Sequence, residues 1–474
     1  MLFNSIEFLL IFLPLSLAGF YWFNSRNSQQ AGVAFLAAAS LVFFAYWDGR
    51  YILLLAGSMA WNWWVARGLM KSPSKRLLAL GIGGDLLILG YFKYANFFVE
   101  TAQQVSGSHW AWEQVVLPIG ISFFTFTQIA FLVDAYKGEV KERGGLNYIL
   151  FVTFFPHLIA GPILHHKEMM PQFAAIHGKR PDGRTVGYGL FLLIVGLFKK
   201  IVIADNLAKY VDPVFANVQA MEILDAWTAT VGYTLQLYFD FSAYSEMAMG
   251  IGLLFGIKLP MNFNSPYRAK DISEFWKRWH MTLSRFLRDY VYIPMGGSRS
   301  GFHRTLFTLW MTMFIGGIWH GAGWTFIVWG VMHGTMLVVH RCWREAGMKM
   351  PDWAGQALTL FCVAMAWVVF RAHSLDDAVL MWRKMFGLEG VVLPAAFRGF
   401  ETSGIKVVLS PVITGMELAY MSALLAFVMT QKNVHEAWEG MKVPRKRYAA
   451  AMVSMATASM FYVNATSSFA YFNF

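Results

Sequence analysis

Apolar runs of roughly membrane-spanning length recur from one end of the chain to the other. A helix needs about 20 mostly apolar residues to cross the hydrocarbon of a bilayer. Full or partial runs of that kind fall at 8–23, 31–47, 52–65, 77–92, 115–134, 187–204, 305–319, 323–339, 357–371, 407–429 and 449–463. The first has no basic segment before it and no small-residue cleavage site, and further runs follow at once, so it reads as a retained helix rather than a removed signal. The run at 227–257 reads as two apolar pieces separated by the polar stretch Tyr238 to Glu246. At 149–164 the apolar pattern is interrupted by Pro156-His157 and Gly161-Pro162. Two prolines so close free several backbone groups that lipid cannot satisfy, which predicts a re-entrant piece buried in protein. The pattern as a whole predicts roughly a dozen spanning or half-spanning helices. They form one all-α polytopic domain over 1–474, with no internal repeat.

Composition supports that reading. Of 474 residues, 57% are hydrophobic and only 14% charged, too little charge to cover a soluble surface of this size. The net charge of +11 gathers in short loops, which suits the cytoplasmic face of an anionic bilayer better than nucleic acid. Arg26, then Lys71, Lys75 and Arg76, then Lys137, Lys141 and Arg143 follow the first, third and fifth runs. The alternate loops hold little beyond Arg50, Glu100 and Glu113, so the positive-inside rule puts the N-terminus outside. Basic stretches also lie at 167–184 and 442–447, and 387–406 is the longest segment without an assignment. Cys342 and Cys362 offer neither a disulfide framework nor metal spacing.

The stretch from Asp271 to His340 carries most of the candidate chemistry. It opens with a dense block, Glu274 to Tyr290, which written as one amphipathic helix puts Trp276, His280, Leu283 and Leu287 on one face. Lys277, Arg278, Arg285 and Arg288 spread over the rest. A loop with Gly296-Gly297-Ser298-Arg299 follows, then an apolar run closing on Gly316-Gly317-Ile318-Trp319-His320-Gly321.

His320 is the sharpest candidate, because ionisable side chains within apolar spans are expensive and face a cavity or a partner. An imidazole kept neutral by burial can accept a proton near pH 7. The alternative is a histidine hydrogen-bonded between helices. His280 either points into the same cavity or belongs to an interfacial helix whose arginines reach lipid headgroups. Arg278, Arg285, Arg288 and Arg299 offer guanidinium groups for a phosphate-bearing donor, and the Gly-Gly loop is a weak signal for wrapping a phosphate. Asp240, with Tyr238, Ser242, Tyr244 and Glu246, reads first as a structural hydrogen-bond hub and second as a group that orients a histidine or binds a sugar hydroxyl. His157 reads as the cap of a broken helix. His333 lies about four turns beyond His320, too far along one helix to share its substrate. No metal site is expected, the one close pair being His165-His166 in a basic loop, and no nucleophile elbow or P-loop occurs.

Taken together, several segments resemble the membrane-bound O-acyltransferases, in the bacterial branch that acetylates alginate and cellulose. They include 90–97, Leu117-Pro118-Ile119-Gly120, Phe155-Pro156-His157, Gln236-Leu237-Tyr238-Phe239-Asp240-Phe241-Ser242 and Glu274-Phe275-Trp276-Lys277-Arg278-Trp279-His280. Gly316 to Ala322, Trp367 to Ala372 and the closing Tyr471-Phe472-Asn473-Phe474 match as well. The resemblance implies a ring of transmembrane helices with re-entrant or in-plane helices around a central tunnel. It implies that His320 is the catalytic histidine and His280 a second conserved polar position. It also implies that an acetyl group is taken from a cytoplasmic thioester, acetyl-CoA or an acylated carrier protein, with no bound cofactor. The group then passes to a periplasmic or membrane-anchored partner acting with a polysaccharide synthesis and export complex in the bacterial inner membrane.

Under that scheme His320 serves as general base on the accepting hydroxyl. Trp279, Trp319 and their aromatic neighbours exclude water, while Arg278, Arg285, Arg288, Asp240, Tyr238 and Ser284 contact donor or substrate. The chain looks shorter towards its C-terminus than the alginate relatives, so alginate, cellulose, another exopolysaccharide and peptidoglycan all stay open as the polymer. The competing class is a sugar transporter or flippase using buried proton-relay residues, for which the broken helix is equally suited.

Overall fold

The computed structural model describes residues 1–26, 28, 30–141, 144–393, 405–407, 415–440 and 446–462. Arg143, most of the 387–406 segment and of the 442–447 loop, and the closing Tyr471 to Phe474 lie outside the described residues. The chain divides into two compact units.

The first unit gathers 1–198, Ala243–Asn262 and the helix Lys446–Tyr462. A π-helical turn, Glu7–Phe12, leads into α1 (Leu13–Asn24), followed by α2 (Ala31–Ala45), α3 (Tyr51–Lys71) and α4 (Lys75–Ser106). Ser74 caps α4 by accepting from the Leu77 amide, and Gly107 ends it in the left-handed region at φ 66°. Helix α5 (Ile121–Tyr136) starts six residues later than the apolar run at 115–134, because Pro118, Ile119 and the left-handed Gly120 form a turn rather than helix. Buried polar side chains tie these helices together. The Asn62 amide donates to Asp85 Oδ1 at 2.6 Å, Gln128 donates to Ser58 at 2.9 Å, and the Tyr148 hydroxyl donates to Gln128 Oε1 at 3.1 Å.

The piece at 149–164 is broken and buried. Helix α6 (Gly145–Thr153) stops at Phe154, α7 (Phe155–Leu158) is one turn, and the chain stays irregular until α8 (His166–Ala174). The freed backbone groups find side chains: Ser40 Oγ accepts from the Phe155 amide at 3.1 Å, and His157 Nε2 donates to the Phe151 carbonyl at 2.9 Å. His157 is a cap. His166, half of the close histidine pair, bonds through Nδ1 to Asp134 at 2.8 Å. Helix α9 (Gly183–Phe198) completes this part of the chain.

The second unit holds Lys199–Ser242 and the described residues of 263–440. A π-helical turn, Lys199–Ala204, runs into α10 (Asp205–Ala216). Helix α11 (Ile223–Leu254) is one uninterrupted helix of 32 residues and not two apolar pieces. Its polar stretch does not break it, because Asp240 meets a buried lysine on the inner side. Next come α12 (Ile272–Arg278), α13 (Met281–Leu287), a π-turn at Arg288–Tyr292, α14 (Phe302–His320), α15 (Trp324–Glu345), α16 (Asp352–Arg371) and α17 (Leu375–Met385). A three-residue parallel ladder joins β1 (Val391–Leu393) to β2 (Ile405–Val407). Helices α18 (Gly415–Thr430) and α19 (Val434–Glu439) follow, and Lys446–Tyr462 in the first unit is α20.

Among the described residues, four helices are long and apolar enough to cross a membrane: Glu7–Asn24, Lys75–Ser106, Gly183–Ala216 and Asp352–Arg371. The rest of the expected dozen divide into two kinds. Ala31–Ala45, Ile121–Tyr136, Glu417–Thr430 and Ala449–Tyr462 are apolar but shorter. Others, α3, α11, α14 and α15, have the length but carry the polar and ionisable groups of the interior. The architecture is that of an all-α polytopic membrane protein.

Candidate active site

The block from Glu274 to Tyr290 is not a single helix. Asp271 starts α12 by accepting from the Glu274 amide at 2.7 Å, and Glu274 Oε2 accepts in return from the Lys270 amide at 2.8 Å. Replacing Asp271 with alanine is expected to cost about 1 kcal/mol, visible as a lowered melting temperature of the detergent-purified chain. The helix ends after seven residues. Trp279 is extended, and His280 sits in the left-handed region at φ 44°, ψ 53°, where a residue with a β-carbon is uncommon. The Asn264 amide donates to the Arg278 carbonyl at 2.9 Å, satisfying a group that the break would leave open. The expected face of Trp276, His280, Leu283 and Leu287 therefore does not exist as one helical stripe. The kink turns Trp279 and His280 inward: Trp279 is 3% exposed and His280 is fully buried.

Helices α14 and α15 form a tight hairpin around the extended residues Gly321 and Gly323. Their backbones nearly touch at Gly317 and Gly330. A β-carbon on Gly317 would stand 2.5 Å from the Phe326 carbonyl oxygen, and one on Gly330 would stand 2.7 Å from that of Met313. The reversal corrects the reading of His333. It does not lie further along the helix of His320, because the chain turns back and packs it on Trp329, whose ring meets His320.

The result is an aromatic cluster packed around two imidazoles. The His320 ring is met edge to face by Trp329 at 4.8 Å, Trp319 at 5.0 Å and Phe370 at 5.4 Å. The His280 ring stands perpendicular to Phe241 at 4.8 Å and reaches Trp319 at 6.4 Å, so Trp319 borders both histidines. Below, Trp279 is packed among Phe275 at 5.7 Å, Phe263 at 5.0 Å, Tyr267 at 6.0 Å and Trp367 at 5.1 Å. Tyr238 joins from α11, 6.5 Å from Trp279 and 5.4 Å from Tyr267. His333 packs on Trp329 at 4.7 Å, and the Trp276 indole N–H donates to its Nδ1 at 3.3 Å.

The remaining candidates separate. Asp240 is buried and paired with a lysine. Its Oδ1 holds Lys200 Nζ at 2.8 Å, and the same ammonium reaches Asp205 Oδ1 at 2.8 Å, with the lysine side chain 1% exposed. Lys199 lies over the Tyr238 ring at 5.7 Å. Ser284 donates back to the Trp279 carbonyl at 3.4 Å, bracing the kink. Arg278 is engaged locally, with Nε and Nη2 on Glu274 Oε1 at 2.9 and 2.8 Å and Nη1 on the Asn264 carbonyl at 3.1 Å. Exposed Arg288 pairs with Asp289 at 2.7 Å, Arg285 is half-buried on α13, and Arg299 is exposed. The Gly-Gly loop is not an amide cradle. Its Gly296, Gly297 and Arg299 amides already donate to the carbonyls of Ile293, Tyr292 and Gly296.

Three contributors were missed in the sequence. Lys200 is a lysine inside an apolar run, a signal for function or burial in its own right. Trp329 gave no local signal, since an aromatic at helical spacing is ordinary core, and Phe370 lay in the matching stretch Trp367 to Ala372 without standing out from it.

A kinked segment that presents a left-handed histidine, facing a helical hairpin closed by a second histidine, defines a class. The chain belongs to the membrane-bound O-acyltransferase family, whose model matches residues 74–375. It is 42% identical over 427 residues to the peptidoglycan O-acetyltransferase of Helicobacter pylori, covering 83% of this chain and 81% of that protein. It is 40% identical over 397 residues to the probable alginate O-acetylase AlgI of Pseudomonas aeruginosa, covering 81% and 75%. A more distant likeness, 29% over 246 residues, links it to the teichoic acid D-alanyltransferase of Bacillus subtilis, with 49% of this chain and 60% of that protein covered. The protein is a multi-pass membrane O-acyltransferase.

Proposed function

We propose that this O-acyltransferase takes an acetyl group from a cytoplasmic thioester, acetyl-CoA or an acylated carrier protein, and passes it across the inner membrane for O-acetylation of an exported polysaccharide. The observation that carries the reading is His320, closing α14 with its ring walled by Trp319, Trp329 and Phe370 in a chain of this family. An imidazole in that setting accepts the proton of an attacking hydroxyl, and the indole walls keep water from the thioester. His280, across Trp319, is the second polar group of the cluster. Arg278, Arg285, Arg288 and Arg299 are the guanidinium groups proposed to meet a phosphate-bearing donor. Relatives named for peptidoglycan and for alginate stand at 42% and 40% identity, so the acceptor is proposed at the level of an exported glycan carrying free hydroxyls. The partners proposed with it are a periplasmic or membrane-anchored acetyltransferase and the machinery that makes and exports the polymer. The alternation of basic loops supports an N-terminus on the periplasmic side.

The test is His320→Ala against wild type, with acetyl content and total amount of exported polymer measured separately. Loss of acetyl from an undiminished polymer is the expected result. Unchanged acetylation, or loss of the polymer itself, overturns the proposal.

A further inference from the structure

Two buried hydrogen-bond donors, one beside His320 and the other packed behind it on the same indole, are given no work by the fold or by the mechanism above. Both belong to α15, four residues apart and hence on one face. Trp329 is 1% exposed and His333 fully buried, and neither Trp329 Nε1 nor His333 Nε2 has a hydrogen-bond partner among the described residues. The protonation of His333 follows from geometry. An indole N–H can only donate, so His333 Nδ1, 3.3 Å from Trp276 Nε1, is the acceptor and the ring proton sits on Nε2. Each is therefore a fixed N–H donor in an apolar wall. Buried donors without acceptors are rare in folded proteins, because desolvating them without a replacement bond is unfavourable. Two on one helical face, one with its ring 4.8 Å from His320, point to an acceptor-bearing group that binds among these rings.

We infer that Trp329 and His333 form a carbonyl subsite, donating to the carbonyl oxygen of the acyl thioester while His320 serves the incoming hydroxyl. The inference rests on the function proposed above. In the transfer, the hydroxyl oxygen attacks the thioester carbon and a C–O bond forms. The carbonyl π electrons move onto oxygen, where the two N–H groups meet them, and His320 takes the hydroxyl proton. Collapse of the intermediate breaks the C–S bond, and that proton passes to the departing thiolate. Donors preset for the developing oxyanion act more strongly in a dry site than in water. His333 is then a catalytic residue rather than a packing residue. Its bond to Trp276 fixes which nitrogen carries the proton.

The test uses the full chain in detergent with acetyl-CoA labelled with carbon-13 at the thioester carbonyl, in a His320→Ala background to suppress turnover. Infrared difference spectra report hydrogen bonding to the carbonyl directly. The expected result is a bound band below the frequency of free acetyl-CoA. His320→Ala/His333→Gln retains the lowering, because its amide N–H falls near the position of Nε2, whereas His320→Ala/His333→Met returns the band towards the free value. Trp329→Phe in the same background gives part of that return and decides the matter if the methionine variant does not fold. With His320 intact, His333→Met should lower the transfer rate about 100- to 1000-fold with little change in KM for the donor. A band that ignores both substitutions, or no bound band at saturating acetyl-CoA, overturns the subsite. His320→Ala leaving transfer intact overturns the proposed function instead, so the two failures are separable.

Discussion

Lys200→Met is expected to destabilise the second unit by about 3–5 kcal/mol. The lysine side chain is 1% exposed, and its ammonium is shared at 2.8 Å by Asp205 and Asp240, the latter side chain 3% exposed. Removing the cation leaves a carboxylate pair sunk in a helical interior, and breaking a buried pair in this way costs far more than the intact pair contributes. The loss is a large fraction of a typical domain's folding free energy of about 5–15 kcal/mol. The measurement is thermal unfolding of the detergent-purified chain, followed by the monodisperse fraction on gel filtration. Lys200→Met/Asp240→Asn should recover part of the loss, because the amide removes one stranded charge. Equal melting temperatures for wild type and Lys200→Met would mean that the cluster carries no stability.

Gly330→Leu is expected to cost about 3 kcal/mol or more by overpacking. What a new side chain meets there is backbone, the Met313 carbonyl at 2.7 Å and the Gly317 α-carbon at 3.0 Å, neither of which can swing aside as a flexible side chain would. Helices α14 and α15 must separate, and the pairing of His320 with Trp329 across the hairpin goes with them. A falling yield of folded protein, and loss of acyl transfer in whatever folds, are the readouts. Gly323→Ala, whose added carbon meets its nearest neighbour at an ordinary 3.4 Å, serves as the mild control in the same hairpin. If Gly330→Leu folds and transfers like wild type, the close approach is not what holds the aromatic cluster.

How far these features can be read from residues alone depends on whether they are local. The apolar runs, the Pro156–Pro162 interruption and the exceptional position of His320 follow from hydrophobic spacing and from the cost of polar groups in lipid, which act at short range. The kink at His280 does not. Residues 274–290 satisfy a helical pattern throughout, and the helix stops because Asn264, 14 residues before Arg278, bonds the Arg278 carbonyl. Helix α11 shows the reverse: its polar stretch looked like an interruption, yet Lys200 neutralises Asp240 from another segment and the helix runs on. His333 was misplaced for a third reason. Gly321 to Gly323 folds the chain back, and a hairpin that tight depends on facing glycines whose partners no single window reveals.

At Lys199–Ala204 the chain carries a surplus residue, wound into a wider π-helical turn. An ordinary helix that loses one residue rotates everything beyond the deletion by about 100°. A turn already swollen by one can shed it and close to regular α geometry, with its ladder of backbone bonds unbroken. A single deletion at 201–204 should therefore yield a sound helix in which Lys200 and the present Asp205, now four residues apart, still share one face. The wide turn, rather than the residue types in it, absorbs the change in length.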